Sequence, residues 1–153
     1  MKFLSAILLL LSFSTVASAQ TQLDEQIALV RQSAHTDRKV MIMSNVHFGA
    51  DESEQFWATW EQYRGNMASN GDRRLALIQN FASNYENMTD QKASELLADS
   101  FSVQMQAVSI KQGFAKQIST FMPDKKVLRI IQIENKVDAA INMQLASEIP
   151  LAK

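Results

Sequence analysis

Apolar residues recur at intervals of three and four along most of this 153-residue chain, the spacing that places them on one face of an α-helix. The pattern predicts helices over Thr21–His35, about 52–87, Asp90 to about Phe121, and from Pro123 to about Ser147. It therefore predicts an all-α fold, an elongated antiparallel hairpin or bundle of about four helices.

Two short segments separate the first predicted helix from the second. Residues 40–43 are apolar, and they could either end the first helix or form an extended link. Residues 46–50 contain a glycine and are predicted to be a connection. Asp51 and Glu54 have the spacing of a capping box, so we expect the second helix to begin there.

The predicted second helix contains Asn70-Gly71, a pair that is typical of turns. Apolar spacing continues in steps of three and four on both sides of this pair, which favours one continuous helix. A helical hairpin that turns at the pair is the alternative, because glycine in a helix interior costs about 1 kcal/mol. The cluster of Phe56, Trp60 and Tyr63 lies on one face and is predicted to be core.

The later helix boundaries carry clear signals. Thr89 is a predicted N-cap after a break at residues 87–88. Met122-Pro123 ends the third helix, and proline suits the first position of the next one. We expect the apolar side chains of the last helix to point inward: Val127, Ile130, Ile131, Val137, Ile141 and Leu145.

The third helix carries two adjacent apolar stripes. One consists of Leu96, Val103, Ala107, Ile110, Phe114 and Phe121. The other consists of Leu97, Phe101, Val108, Ala115, Ile118 and Met122. A face this wide either contacts two neighbouring helices or keeps part of its surface for a partner.

The first nineteen residues have the organisation of a secretory signal peptide. A basic Met1-Lys2 start precedes an apolar run over Leu4–Leu11, and Ala17-Ser18-Ala19 fits the small-x-small rule of signal peptidase. We expect cleavage between Ala19 and Gln20, which leaves residues 20–153 as a single all-helical domain in the bacterial periplasm. No second apolar run approaches the length of a membrane span, so we expect no stable membrane insertion after cleavage.

Composition narrows the classes of function. The chain has no cysteine, which excludes a disulfide framework, a zinc knuckle and a thiol nucleophile. Its formal net charge of −1 gives no electrostatic reason to bind nucleic acid. Four glycines and two prolines are too few for a glycine-rich phosphate site. We therefore expect no cofactor.

Motifs for catalysis and metal binding are also missing from the sequence. It contains no GxSxG, SxxK or HExxH pattern, so we expect a protein that is not an enzyme. A metal-binding stress protein remains a third hypothesis, and it requires His35, His47, Met41 or Met43 to converge in space.

Two charged residues fall within the apolar stripes of their helices. Arg74 lies in the stripe of the long helix and Glu134 in that of the last. Charged groups on inward faces are usually paired or extend past the core to solvent, so we predict a structural ion pair, or two long side chains that reach past the core, rather than an acid–base pair.

The signal peptide, the cysteine-free long helices and the break at Met88-Thr89-Asp90-Gln91 resemble the Spy/CpxP (LTxxQ) family of small periplasmic proteins. Here Met88 replaces the leucine, and Gln91 comes one place early. The resemblance implies a cradle-shaped antiparallel dimer that acts as an ATP-independent chaperone or envelope-stress protein. Residues 71–78 and 132–136 also resemble a set of uncharacterised exported bacterial proteins of similar length, over most of residues 50–150.

The leading hypothesis is a non-enzymatic periplasmic protein that binds exposed apolar segments of client proteins. The candidate client-binding side chains are Phe101, Met105, Phe114, Ile118 and Phe121, all expected to be exposed. The alternative is a structural or regulatory protein that binds one specific envelope partner. In either case the protein could form a homodimer.

Overall fold

The computed structural model describes residues 31–32 and 34–152, and this part of the chain is all-α. The predicted signal peptide, its cleavage site between Ala19 and Gln20, and the predicted helix up to residue 30 lie outside the described residues. The chain divides into two compact units, which separate after Met43.

Residues 31–32 and 34–45 are helical, and we call the second stretch α1. The first helix therefore does not end at His35, and residues 40–43 are helix rather than an extended link. Side chains support this backbone locally, since the Thr36 hydroxyl donates to the carbonyl of Gln32 at 3.0 Å. Residues 46–49 form the connection, one residue shorter than predicted.

The second helix, α2 (Ala50–Asn84), is continuous over 35 residues, as the apolar spacing predicted. No described residue has a positive φ, so Gly71 adopts helical backbone and no hairpin forms at Asn70-Gly71. The predicted cap at Asp51 is wrong by two positions. Gly49 is the N-cap, and its N–H donates to the carboxylate of Glu52 at 2.7 Å.

A single turn of 3₁₀ helix (Tyr85–Asn87) follows α2 and leads to the third helix, α3 (Asp90–Ile118). Thr89 caps α3 as predicted, because its hydroxyl accepts the backbone N–H of Lys92 at 3.2 Å. The last helix, α4 (Asp124–Glu148), has Pro123 as its N-cap rather than as its first helical residue.

Long-range contacts fix the directions of the three helices in the second unit. Tyr63 of α2 stacks on Phe114 of α3 with ring centroids 4.3 Å apart, and Asn70 donates to the carbonyl of Val103 at 3.0 Å. As the α2 number rises the α3 number falls, so these two helices are antiparallel. Contacts from α2 to α4 instead rise together, from Glu52–Lys126 to Arg74–Asn142, so α2 and α4 are parallel.

The core lies where α2, α3 and α4 meet, and Trp60, Phe56, Ile118 and Ile130 are fully buried in it. Burial of each such side chain stabilises the fold by about 1.5–3 kcal/mol. The remaining buried apolar residues of these three helices and their connections are Val46, Tyr63, Leu96, Val103, Phe114, Met122, Val127 and Ile133. The predicted core cluster of Phe56, Trp60 and Tyr63 is therefore confirmed.

Candidate functional site

Four large apolar side chains lie exposed along one side of α3. Leu97, Phe101, Met105 and Val108 each keep between 55 and 66% of their surface accessible. At 3.6 residues per turn, the four positions lie within roughly 80° of the helix circumference. They therefore form one continuous surface, which we call the α3 apolar face.

The α3 apolar face points away from the packed side of the helix. The buried residues Leu96, Val103 and Phe114 are centred roughly 140° from it around the helix axis. Phe101 and Met105 lie farthest from the buried residues, whereas Leu97 and Val108 also line grooves that α3 forms with α2 and α4. The four side chains therefore form a second apolar surface that reaches from the open side of α3 to these grooves.

Charge is absent from the middle of α3. Residues 100–110 include no Asp, Glu, Lys or Arg, and serine and glutamine fill the positions between the apolar ones. The charges lie towards the ends of the helix. At the N-terminal end, the Lys92 ammonium and the Gln91 amide lower the pKa of Glu95 through hydrogen bonds to its carboxylate. A partner could therefore cover the part of the α3 apolar face within residues 100–110 without desolvating a charge of that segment.

Shallow grooves extend the α3 apolar face at both ends. Next to Leu97 lies a groove of about 320 Å³, whose walls include Phe81 of α2 and Met88 of the connection. Beyond Val108 a second groove of about 280 Å³ runs between Ala115 of α3 and Ile131 of α4. The walls of the first groove are mainly aliphatic and aromatic, whereas those of the second combine aliphatic residues with Lys111, Gln112 and Asn135.

The predicted client-binding residues divide into two groups. Phe101 and Met105 are exposed, as expected. The expectation of exposure is wrong for Phe114 and Ile118, which are 3% and 0% exposed because they pack into the core. Phe121 is half-buried in the turn after α3.

Two members of the α3 apolar face were missing from the predicted client-binding residues. Leu97 and Val108 belong to the second apolar stripe of the sequence, with Phe101 between them. The signal that could have identified them is the spacing 97, 101, 105 and 108, with three of the four positions in a segment, residues 100–110, that carries no charge.

Glu134 is fully buried and paired, but its predicted partner is wrong. Its Oε2 lies 3.3 Å from Nη1 of Arg64, whereas Arg74 donates to the side-chain oxygen of Asn142 at 2.7 Å. The carboxylate also accepts the indole N–H of Trp60 at 2.8 Å. Glu134 therefore belongs to a structural ion pair, as predicted, but its partner is Arg64 rather than Arg74.

A cleft of about 810 Å³ opens between α2, α3 and α4, and Val108 of the α3 apolar face forms part of its lining. Arg74, Lys111 and Asp138 contribute charged side chains to its lining. Most of the other lining side chains are aliphatic, and they include Met67, Leu77, Ile78, Val103, Ile141 and Ile149.

Within the described residues, no cluster of metal-ligating side chains supports the hypothesis of a metal site. No group of three His, Asp or Glu side chains lies close enough there to hold an ion. His35, Met41 and Met43 belong to the first compact unit and His47 to the second. Metal binding by these residues stays a prediction.

In comparisons with known proteins, no family model, no curated protein and no solved structure matches the chain. Among the described helices, none is both long enough and apolar enough to cross a membrane.

Proposed function

We propose that this protein is a non-enzymatic, exported binding protein that holds exposed apolar segments of unfolded polypeptides on the α3 apolar face. The observation that carries the proposal is the exposure of Leu97, Phe101, Met105 and Val108 on one side of α3. Soluble monomers rarely leave a contiguous apolar surface of this kind without a partner.

The driving force for binding is the removal of this apolar surface from water. Full burial of a Leu, Phe, Met or Val side chain contributes about 1.5–3 kcal/mol. The four side chains still have 55–66% of their surface to bury, so together they supply part of the free energy that must offset the entropy cost of association. No nucleotide takes part in this mechanism, so release depends on folding of the client.

The chemistry of the α3 apolar face suits many clients rather than one. Methionine is flexible and polarisable, so Met105 can adapt to different apolar side chains. The neighbouring serine and glutamine side chains impose no fixed pattern of charge on a partner. Interfaces specific to one partner usually depend on a few anchors in well-formed pockets, with Trp, Tyr and Arg enriched among them. Because the α3 apolar face is an open stripe, we favour clients over the alternative of a single envelope partner.

The test is suppression of aggregation by the purified protein without ATP, at near-stoichiometric ratios, with two unrelated unfolding proteins as clients. We expect both to be protected. A Phe101→Ser/Met105→Ser variant should lose most of this protection while it keeps its helicity by circular dichroism, because exposed side chains contribute little to stability.

The matched control is Leu128→Ser/Met143→Ser, which removes two equally exposed apolar side chains from α4. This variant should protect both clients as well as the parent does. Equal activity of the α3 variant and the parent would contradict the proposal. Protection of neither client would reject general chaperoning and favour a single envelope partner. Light scattering on the same variants would show whether the α3 apolar face instead joins two copies of the chain.

A further inference from the structure

The cleft between α2, α3 and α4 has the size and lining of a small-molecule site. Its volume of about 810 Å³ lies within the range of about 300–1,000 Å³ that is typical of ligand pockets. Such pockets combine mainly apolar walls with a few polar groups that orient the ligand. Half of the residues that line the cleft are apolar, and most of the others carry a polar or charged side chain.

The charges that line the cleft do not balance. The ammonium of Lys111 lies 2.8 Å from Asp138 and 2.7 Å from the side-chain oxygen of Asn135, so its charge is neutralised. Arg74 donates instead to Asn142, which is neutral. Among the cleft-lining residues that the structure describes, two cations therefore face one carboxylate, and the surplus charge is that of Arg74.

Arg74 stands at one end of a continuous apolar path. Leu77 and Ile78 follow it at i+3 and i+4, so the three residues share one face of α2. Leu77, Ile78 and Ile149 also line the adjoining groove of about 320 Å³, which extends to Phe81. The apolar surface therefore begins beside the Arg74 guanidinium in the cleft and continues into the adjoining groove.

We propose that this cleft binds a single-chain carboxylate amphiphile, that is, a fatty acid, with its carboxylate on Arg74 and its alkyl chain along Leu77 and Ile78. A guanidinium matches a carboxylate with two parallel hydrogen bonds. The surplus of one positive charge suits a monoanion better than a dianionic phosphate. The aliphatic walls suit a chain with no polar groups of its own, in contrast to a peptide backbone, which would lose its hydrogen bonds there.

The proposal is tested by calorimetric titration of the whole protein with laurate, octanoate and dodecyltrimethylammonium as probes. We expect laurate to bind at one site. Octanoate has four fewer methylenes, each worth about fourfold in affinity when fully buried, so it should bind at least about tenfold more weakly. Dodecyltrimethylammonium has the same chain length as laurate and the opposite charge, so it should bind less tightly than laurate.

The deciding variants are two neighbouring arginines. Arg74→Gln should weaken laurate about tenfold, because it removes the charge from the hydrogen bond to the carboxylate. Arg73→Gln is the matched control. Arg73 donates to Ser102 at 3.1 Å and is not part of the cleft lining, so laurate should bind this variant as it binds the parent.

Three outcomes would overturn the proposal: no saturable binding of laurate, equal affinity of laurate for Arg74→Gln and the parent, or equal affinity of octanoate and laurate. Circular dichroism of both variants would establish that they fold. The variant Phe101→Ser/Met105→Ser distinguishes this proposal from client binding, because neither residue lines the cleft or the adjoining groove and the variant should bind laurate normally.

Discussion

Trp60 donates its indole N–H to the carboxylate of Glu134 at 2.8 Å, although 74 residues separate the two positions. Within the same turn of α2, the Tyr63 hydroxyl lies 3.4 Å and Arg64 Nη1 3.3 Å from the other oxygen of that carboxylate. Since Glu134 has no exposed surface, its charge requires these donors. The cluster thereby fixes how far α4 is displaced along α2.

Removal of the Glu134 carboxylate should destabilise the protein strongly. Glu134→Leu leaves the donors of Trp60 and Arg64 without this acceptor, so we expect a loss of about 3–5 kcal/mol in the free energy of unfolding. Glu134→Gln keeps an acceptor for Trp60 and should lose less. Urea denaturation followed by circular dichroism would measure both.

A double-mutant cycle distinguishes the two arginines as partners of Glu134. Arg64→Met and Glu134→Leu should couple by more than about 1 kcal/mol, since the two side chains touch. Arg74→Met should be additive with Glu134→Leu, because Arg74 bonds to Asn142 instead. Coupling of Arg74 and the absence of coupling for Arg64 would contradict the observed pairing.

The start of α2 should make stability depend on acid pH. The backbone N–H of Gly49, followed by the Lys126 side chain, holds the pKa of Glu52 below its ordinary value of 4.5. A carboxyl group whose pKa is lowered by folding stabilises the protein above its unfolded-state pKa, and this contribution is lost as the pH falls through the folded-state pKa. Glu52→Gln should therefore lower the urea midpoint at neutral pH, and the difference from the parent should narrow below about pH 4.5.

Glu54→Gln is the matched control for this measurement, since Glu54 is an exposed glutamate in the same turn. For Glu54→Gln, the difference in urea midpoint from the parent should be the same at neutral and at acid pH. A Glu52→Gln protein with the same loss of stability at both pH values would show that the carboxylate charge has no role at this cap.

The glycines inside the helices should be replaceable by alanine with a gain in stability. Gly65 and Gly71 of α2 have helical backbone, and an added Cβ would meet no atom within 4 Å. Alanine favours a helix interior over glycine by about 1 kcal/mol, so each substitution should raise the melting temperature. A fall in melting temperature for Gly71→Ala alone would favour a turn at Asn70-Gly71, where a positive φ would oppose alanine.

Sequence periodicity predicted the buried cluster of α2, but neither which residues of the wide α3 face are buried nor how the helices are displaced along one another. The apolar residues keep the same three-and-four spacing before and after Gly71, and this spacing predicted that α2 is continuous there. The burial of Glu134 followed from its place in the α4 stripe. The partner of Glu134 could not be predicted in the same way, because Arg64 and Arg74 both have side chains long enough to reach it. Only the packing of α4 on α2 determines which of the two arginines pairs with Glu134. The same limit explains Phe114, since periodicity cannot tell which of two adjacent stripes meets a neighbouring helix.

Asn70 offers a test of the α2–α3 contact. Its side chain is buried, its amide N–H donates to the carbonyl of Val103 at 3.0 Å, and its Oδ1 has no hydrogen-bond partner among the described residues. A buried acceptor without a donor costs about 1–3 kcal/mol. Asn70→Leu has nearly the same shape and removes this acceptor, while the carbonyl of Val103 keeps its bond within α3. We therefore expect the free energy of unfolding to rise by about 1 kcal/mol or more.

Leucine also favours helix over asparagine, and Asn66→Leu controls for this effect because Asn66 lies exposed one turn earlier on α2. Urea denaturation should show a larger gain for Asn70→Leu than for Asn66→Leu. If Asn70→Leu instead lowers stability, a donor such as a bound water must reach Oδ1, and the polar contact would then hold α2 and α3 together.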